Sequence, residues 1–308
     1  MMDTYPLLLA ATLQAGTVLA LASLGLLINE KAGVINLGAE GMMLCSALAG
    51  FAVVVHTGSD SLGLLAGMVV GGGMALLLGL LVVGLNANPY ATGLALSLLG
   101  AGLSAFLGTP YVQARLPERI SFGVPLLQDL PWIGPAFFQH HPLVYAAIGL
   151  ALGLMWWLDH TRSGLVLRSI GESPAAAHAL GYPVRTLRLL AVCAGGGLCG
   201  LAGAYVSLVY TPLWVEGMIA GKGWIALALT TFATWRPMRI LLGAYLFGGV
   251  TMLQFHWQAS GVELPSQWLS MLPYLATIVV LAVLSRRPAW MKTHMPLSLG
   301  KPFHPDQP

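Results

Sequence analysis

Charged residues are scarce in this sequence of 308 residues, in which Asp, Glu, Lys and Arg together make up 8% and hydrophobic residues make up 57%. A soluble globular domain carries roughly 25% charged residues, so the composition excludes that class and indicates an integral membrane protein. The net charge of +3 is too small to form a basic surface for nucleic acid.

Catalytic and metal-binding motifs are also lacking. The three cysteines, Cys45, Cys193 and Cys199, fall inside apolar runs, which argues against a disulfide framework or a cysteine-ligated metal. The histidines lie at turns or segment ends without the His-Glu-x-x-His spacing of a zinc hydrolase. No Gly-x-x-x-x-Gly-Lys-Ser/Thr phosphate loop occurs. We therefore expect no catalytic residue, metal or cofactor in this chain, and no ATP hydrolysis by it.

A cleavable secretory signal is not expected either, because no Lys or Arg precedes Lys31 and such signals begin with a basic region. The uncharged run Leu7–Ile28 is long enough to span a bilayer. We predict that it is a retained first helix.

What the sequence does contain is a series of apolar runs that predicts an all-α, polytopic membrane bundle forming one transmembrane domain over residues 1–308. The proline-rich stretch Thr109–His141 is predicted to be an extramembrane loop, since unpaired backbone groups are costly in hydrocarbon. The tail 286–308 is basic and proline-rich, and it is expected to be loosely ordered. The nine predicted segments are Leu7–Ile28, Leu37–Thr57, Leu62–Leu85, Tyr90–Gly108, Pro142–Leu158, Leu189–Tyr210, the short Trp224–Trp235, Arg239–His256 and Trp268–Ser285.

The basic residues sort to one side when successive segments alternate across the membrane. With residues 159–188 placed in the cytoplasm, eleven Lys and Arg residues lie on the cytoplasmic side and three on the other. This positive-inside bias predicts an outside N-terminus and a cytoplasmic C-terminus. The eleven are Lys31, Arg162, Arg168, Arg185, Arg188, Arg236, Arg239, Arg286, Arg287, Lys292 and Lys301; the three are Arg115, Arg119 and Lys222.

Glycines recur at four-residue spacing within the spans, as in Gly63, Gly67 and Gly71, and again in Gly196 and Gly200. Small residues at this spacing let helix backbones approach closely in lipid. The pattern predicts tightly packed helix pairs.

The loop 159–188 contains a short, well-delimited helix. Ser173 is suited to cap its N-terminus, Pro174 to occupy its first position and Gly181 to end it in a left-handed conformation. The helix would be about 10 Å long. It could lie passively on lipid headgroups, but Ala175–Ala179 is weakly apolar for that purpose. We predict that another protein binds it.

The stretch Asn29–Met43 admits two interpretations. In the first it is a tight cytoplasmic turn with solvated side chains, in which Asn36 caps the next helix. In the second it is a helix break inside the bundle, where glycines free backbone groups that line a pathway. Polar residues at membrane depth, such as Glu40, favour a functional role.

Three ordered stretches resemble the permease subunits of ABC importers of the ribose and branched-chain amino acid transporter superfamily. They are GLLINEKAGVINLGAEGMM (25–43), RSIGESPAAAHALGYPV (168–184) and EGMIAGKGWIALALTTFATWRPMRILLGAYLFGG (216–249). Within the superfamily, the sequence is most similar to nucleoside-type permeases that work with basic-membrane-lipoprotein binding proteins.

The resemblance implies that the short cytoplasmic helix is a coupling helix that docks on a separate ATPase subunit. The family's Glu-Ala-Ala-x-x-x-Gly spacing falls on Ala175–Gly181, with Ala175 replacing the usual Glu, so one expected polar contact is missing. The coupling residues implied are Gly171, Glu172, Ser173, Pro174, Ala175, Ala176, Ala177 and Gly181.

The resemblance also implies that glycine-rich breaks from both halves of the chain approach a central cavity. The tripeptide Glu-Gly-Met occurs in both, at 40–42 and 216–218. We hypothesise that Asn36 and Glu40 line this cavity near Gly221 and Gly223. The predicted pathway residues are Asn29, Asn36, Glu40, Gly41, Glu216, Gly221 and Gly223.

The sequence therefore predicts a multi-pass permease subunit of a bacterial inner-membrane ABC importer that carries a nucleoside or purine derivative. The expected partners are an ATPase subunit, which uses the ATP, a second homologous permease, an extracytoplasmic substrate-binding lipoprotein and membrane lipid. A sugar or a branched-chain amino acid is the alternative substrate. From another class, an ion-coupled secondary transporter is the alternative, although only Glu40 is an acid well inside a predicted span.

Overall fold

The computed structural model describes residues 4–116, 134–260 and 295–303, together with isolated helical positions between 268 and 282. Within these ranges the regular elements are all helices, joined by turns and irregular segments, and an isolated bridge links Arg115 and Leu213. The helices are α1 (Thr4–Lys31), α2 (Ala39–Thr57), α3 (Asp60–Gly79, extended by a π-helical turn over Leu80–Gly84), α4 (Pro89–Gly108), α5 (Pro142–His160), α6 (Arg162–Glu172), α7 (Pro174–Ala179), α8 (Val184–Tyr205, extended by a π-helical turn over Val206–Tyr210), α9 (Lys222–Phe232) and α10 (Pro237–Ala259).

Seven of the described helices are long and apolar enough to cross a membrane. The predicted crossing Trp224–Trp235 is not among them, because α9 has 11 residues and extends only about 16 Å, against a hydrocarbon core of about 30 Å. The predicted last crossing, Trp268–Ser285, lies largely outside the described residues. The structure thus confirms a polytopic helical bundle, whereas the count of nine and the orientation of the termini stay predictions.

The glycines of α3 pack against those of α8, which gives one close helix pair of the kind that the spacing predicted. A Cβ atom added to Gly71 would lie 2.6 Å from the Cα atom of Gly200, and one added to Gly67 would lie 3.2 Å from the carbonyl oxygen of Gly200. Any side chain at these positions would push the helices apart. This pair and α1 form the centre of the bundle, where Leu24 and Tyr205 are fully buried.

The polar loop 159–188 holds one more helix than predicted. Helix α6 is capped by the Thr161 hydroxyl, which accepts a hydrogen bond from the Gly164 amide at 3.2 Å, and it buries Leu167 and Ile170. Both the cap and the apolar spacing are present in the sequence, so this helix was predictable from local signals.

The C-terminal tail is not loosely ordered throughout, contrary to expectation. The Ser298 amide donates a hydrogen bond to the Gly171 carbonyl at 3.0 Å, and the Gly300 amide donates to the Gly33 carbonyl at 3.0 Å. Residues 295–303 therefore fold back onto the bundle, where backbone hydrogen bonds hold them against α6 and the turn after α1.

Candidate translocation pathway and coupling helix

The stretch after α1 is a break inside the bundle. Asn29, Glu30 and Asn36 are 0%, 2% and 0% exposed, respectively, so the solvated cytoplasmic turn is wrong for these side chains. Gly203, about 22 Å along α8 from Arg188, packs against Met43 near the start of α2. The second turn of α2 therefore packs inside the bundle against the C-terminal end of α8, and not at the end that carries Arg188.

Asn36 stabilises this break through local contacts. Its side-chain oxygen accepts a hydrogen bond from the Gly38 amide at 3.0 Å, and its amide nitrogen donates to the sulfur of Met42 at 3.5 Å. The N-cap residue of α2 is Gly38 and no side chain caps this helix. Asn36 therefore holds the turn that precedes the helix and does not cap it.

The main polar contact of the candidate pathway joins the two halves of the chain. The Glu40 carboxylate, in the first turn of α2, accepts hydrogen bonds from the amides of Gly221 at 2.8 Å and Gly223 at 2.7 Å. These amides lie at the N-terminus of α9, where backbone N–H groups lack partners within the helix and the helix dipole favours a negative charge. Glu40 thus caps α9 from a distant part of the chain.

Two predicted glycines permit this contact by their lack of a side chain. A Cβ atom on Gly223 would lie 2.6 Å from the Glu40 backbone nitrogen. One on Gly41 would lie 2.7 Å from the Cα atom of Ser97 in α4. Gly223 and Gly41 therefore serve close helix packing around Glu40, and a larger residue at either position would separate the elements.

The other end of α9 is bound to a second carboxylate, which sequence reasoning missed. Trp235, just beyond α9, donates its indole N–H to the Glu30 carboxylate, and both side chains are buried. Between the ends, the Ser23 hydroxyl donates to the Ala226 carbonyl at 3.0 Å. Glu30 was overlooked because the first span was predicted to end at Ile28, whereas α1 continues to Lys31.

Both ends of α9 also carry backbone strain. Ala220, Thr234 and Trp235 have φ angles of 51°, 52° and 52°, a region in which a residue with a Cβ atom is disfavoured by roughly 1–2 kcal/mol. Such strain persists only where the surrounding contacts impose it. Glu40 and the Trp235–Glu30 hydrogen bond therefore hold the short helix in place, and the residues that flank it keep strained backbone conformations.

The remaining predicted pathway residues lie apart from this contact. Asn29 packs between α1 and α8, close to Gly195, and its side-chain oxygen and nitrogen have no hydrogen-bond partner among the described residues. Glu216 is exposed, in the loop that leads to α9. The structure brings together Glu40, Gly221 and Gly223; a role in transport stays a prediction for all seven residues.

The predicted coupling helix forms as a short, capped element. The Ser173 hydroxyl accepts a hydrogen bond from the Ala176 amide at 3.3 Å, Pro174 is the first residue of α7, and Gly181 adopts a left-handed φ of 87°. The Gly181 amide donates to the His178 carbonyl at 2.8 Å. The local geometry predicted for this helix is therefore present, whereas its docking on an ATPase stays a prediction.

One face of α7 is exposed and the other is anchored. Ala175, Ala176 and Glu172 are exposed, as is Leu180 at 77%. Ala177 is buried against Ile170 and Val184. The exposed face of α7 therefore consists of an exposed leucine beside small alanines.

The short helix and the residue before it also contact the folded tail. The His178 and Phe303 rings lie 5.6 Å apart, centroid to centroid. The carbonyl of Gly171, the residue that precedes Glu172, accepts a 2.6 Å hydrogen bond from the Ser298 hydroxyl. The tail thus contacts α7 and α6, and through Gly300 it also bonds to the turn that follows α1.

Comparison with known families agrees with this architecture. A family model described as "Branched-chain amino acid transport system / permease component" matches residues 8–283. The chain belongs to this permease family. The matched range includes all three stretches on which the resemblance rests, namely 25–43, 168–184 and 216–249.

Individual relatives cover nearly the whole permease. It is 41% identical to a putative glucose ABC transporter permease protein of Haloferax volcanii, over 96% of this chain and 97% of that protein. It is 34% identical to a nucleoside ABC transporter permease protein of Lactococcus lactis, over 91% and 93%. It is 30% identical to a guanosine ABC transporter permease protein of Bacillus subtilis, over 89% and 91%. The permease is thus a membrane-embedded transport component of an ABC transporter.

Proposed function

We propose that this permease forms the translocation pathway of an ABC importer in a bacterial inner membrane and that its solute is a nucleoside or a related purine derivative. The observation that carries the proposal is the Glu40 carboxylate bound to the start of α9, which joins the helix breaks of both halves. Two relatives of this chain are nucleoside permeases by name.

A sugar is the second candidate, favoured by the 41% identity to a putative glucose permease. Sugars and nucleosides both carry hydroxyl groups, which suit carboxylate and backbone amide partners. The purine ring separates the two candidates, because it adds an aromatic face and ring nitrogens.

The pathway is proposed to be completed by a second, homologous permease. Glu40 is half-buried in the single chain, and the neighbouring Glu216, Ala220 and Trp224 are exposed. Exposed Glu216 is unfavourable against lipid, so a protein surface or a water-filled cavity suits this side of the molecule. A substrate-binding lipoprotein would deliver the solute from the side opposite α7.

Energy would reach the permease through α7. The sequence contains no phosphate-binding loop, and α7 presents Ala175, Ala176 and Leu180 outward. We propose that a separate ATPase subunit binds this face. With Ala175 in place of the family's Glu, that contact would be apolar at this position.

A transport assay tests the choice of solute. We expect the complex, purified from native membranes and reconstituted in proteoliposomes, to accumulate labelled guanosine when ATP and binding protein are present. A large excess of unlabelled adenosine should compete, whereas glucose and leucine should not. Accumulation of glucose with no guanosine uptake would refute the nucleoside proposal and support the sugar alternative.

Cysteine labelling tests the orientation. In a background in which Cys45, Cys193 and Cys199 are replaced, Thr57→Cys should react with a membrane-impermeant maleimide in intact cells. His178→Cys should react only after permeabilisation, because α7 is assigned to the cytoplasm by the charge distribution. Both positions are exposed, so accessibility does not distinguish them. Labelling of His178→Cys in intact cells would reverse the topology.

A further inference from the structure

A basic cavity lies beside the predicted coupling helix, at the end of the bundle assigned to the cytoplasm. Its volume is about 280 Å³. Its walls come from the turn at Gly33, the end of α3, the start of α4, the start of α8 and the folded tail. Within the described part of the chain, three of its lining residues are cationic, namely Arg185, Arg188 and Lys301, and none is acidic.

Arg188 is the unusual member of this set. It is 3% exposed, and among the described residues its two acceptors are neutral oxygens, the Ser298 hydroxyl at 2.9 Å and the Lys301 carbonyl at 3.4 Å. Its Nε atom is buried and has no partner among the described residues. A buried guanidinium that lacks an anionic partner is costly, and planar anions with two acceptor oxygens are its preferred partners.

The start of α4 adds to the positive potential of the cavity. Asn88 and Tyr90 line it, and α4 has 20 residues beginning at Pro89. Asn88 already accepts hydrogen bonds from the Tyr90 amide at 2.9 Å and the Ala91 amide at 3.2 Å. The helix dipole therefore contributes its field here, while direct contacts to an anion would come from the three cationic side chains.

The surroundings of the cavity are those of a membrane interface. Leu80, in the π-helical turn that leads to the cavity, is 50% exposed, Leu85, directly after this turn, is 75% exposed, and Tyr90 is 50% exposed. Exposed leucines followed by an exposed tyrosine and cationic residues match the order of acyl chain, interface and headgroup in a bilayer. Basic pockets between helices on the cytoplasmic side are suited to phosphate-bearing headgroups.

We propose that this cavity binds a phosphate group through Arg185, Arg188 and Lys301, and that the headgroup of an anionic phospholipid supplies it. The bound phosphate neutralises the buried Arg188 and ties the tail to α8. The site lies apart from the Glu40 contact and does not depend on the identity of the transported solute.

Thermal unfolding of the purified full-length complex in detergent tests the site. The probes are dioleoylphosphatidylglycerol, dioleoylphosphatidylcholine and inorganic phosphate. We expect phosphatidylglycerol to raise Tm and phosphatidylcholine to leave it unchanged. In Arg185→Gln and Lys301→Gln, the half-maximal phosphatidylglycerol concentration should rise about fivefold, since one cation near anionic lipid contributes about 1 kcal/mol.

The matched control is Arg162→Gln, which removes the same charge from an exposed position on α6 and does not line the cavity. Its lipid response should equal that of the wild type. Arg185 and Lys301 are themselves exposed, so their variants keep the buried Arg188 contacts and should fold. Arg188→Gln should lose the response altogether.

Each outcome bears on the proposal. An equal Tm rise with inorganic phosphate would retain the phosphate site and refute the lipid source. If Arg162→Gln weakened the lipid response as much as Arg185→Gln and Lys301→Gln do, the response would reflect general surface charge, and the proposed site would be wrong. A wild-type complex that responds to neither phosphatidylglycerol nor phosphate would overturn it as well.

Discussion

Glu40→Ala is expected to reduce solute uptake by at least about tenfold, because the amides of Gly221 and Gly223 at the N-terminus of α9 lose the carboxylate that accepts their hydrogen bonds. An unpaired amide in a buried setting costs about 1–3 kcal/mol, and the strained Ala220 and Thr234 add a tendency of α9 to leave its position. Uptake should be measured in proteoliposomes that contain the whole complex, with protein content matched by quantitative blotting.

Glu40→Gln and Asp60→Ala are the informative companions. Glutamine keeps one oxygen for one of the two glycine amides and places its own N–H₂ group against the other, so its uptake should be intermediate. Asp60→Ala removes a carboxylate from the first turn of α3, far along the chain from α9, and should transport like the wild type. Normal uptake by Glu40→Ala would show that the α2–α9 contact is dispensable for transport.

Gly181→Val is expected to uncouple ATP hydrolysis from transport. Gly181 has a φ of 87°, and a β-branched residue there is disfavoured by at least roughly 1–2 kcal/mol, which shifts a local equilibrium about 5–30-fold. No atom lies within 4 Å of a Cβ atom at this position. The effect therefore comes from the backbone conformation, and not from a steric clash in the bundle.

The matched variant is Gly181→Asn, because asparagine also adds a Cβ atom but tolerates the left-handed conformation. It should retain most of the ATPase stimulation by loaded binding protein, whereas Gly181→Val should lose it while the ATPase subunit still co-purifies. Equal stimulation in the valine variant and the wild type would remove α7 from the transmission route. Loss of the ATPase subunit in both variants would indicate that any side chain at this position prevents docking.

Short-range sequence patterns were sufficient to predict the helices whose formation depends on residues close together in the chain. Hydropathy located the spans because a helix must satisfy its own backbone in lipid, and Ser173, Pro174 and Gly181 delimited α7 because capping acts within a few residues. The same signals at Thr161 could have revealed α6. Whether the short α9 crosses the membrane stays open, because hydropathy reports apolarity and does not report depth.

The burial and the contacts of the polar residues between the spans were harder to predict than the spans themselves. The sequence left Asn29–Met43 open between a solvated turn and a buried break, since both place polar residues between two spans. Burial of Asn36 and Glu30 decided between them. Asn36 proved to hold a turn with Gly38 and Met42, instead of capping α2. The tail was expected to be loosely ordered because it is basic and proline-rich, but Ser298 and Gly300 are fixed by backbone hydrogen bonds.

The sequence by itself determined the membrane class, the positions of most spans, the permease family and the short capped helix, because these depend on composition and on residues close together in the chain. Only the tertiary structure decided that Glu40 binds Gly221, 181 residues away, that Glu30 meets Trp235 and that Arg188 is enclosed by the tail. Helices in lipid approach through small residues at many equivalent positions. The spacing of the small residues therefore predicts close packing without specifying which helix packs against which. The packing of all the helices together determines the partner helix.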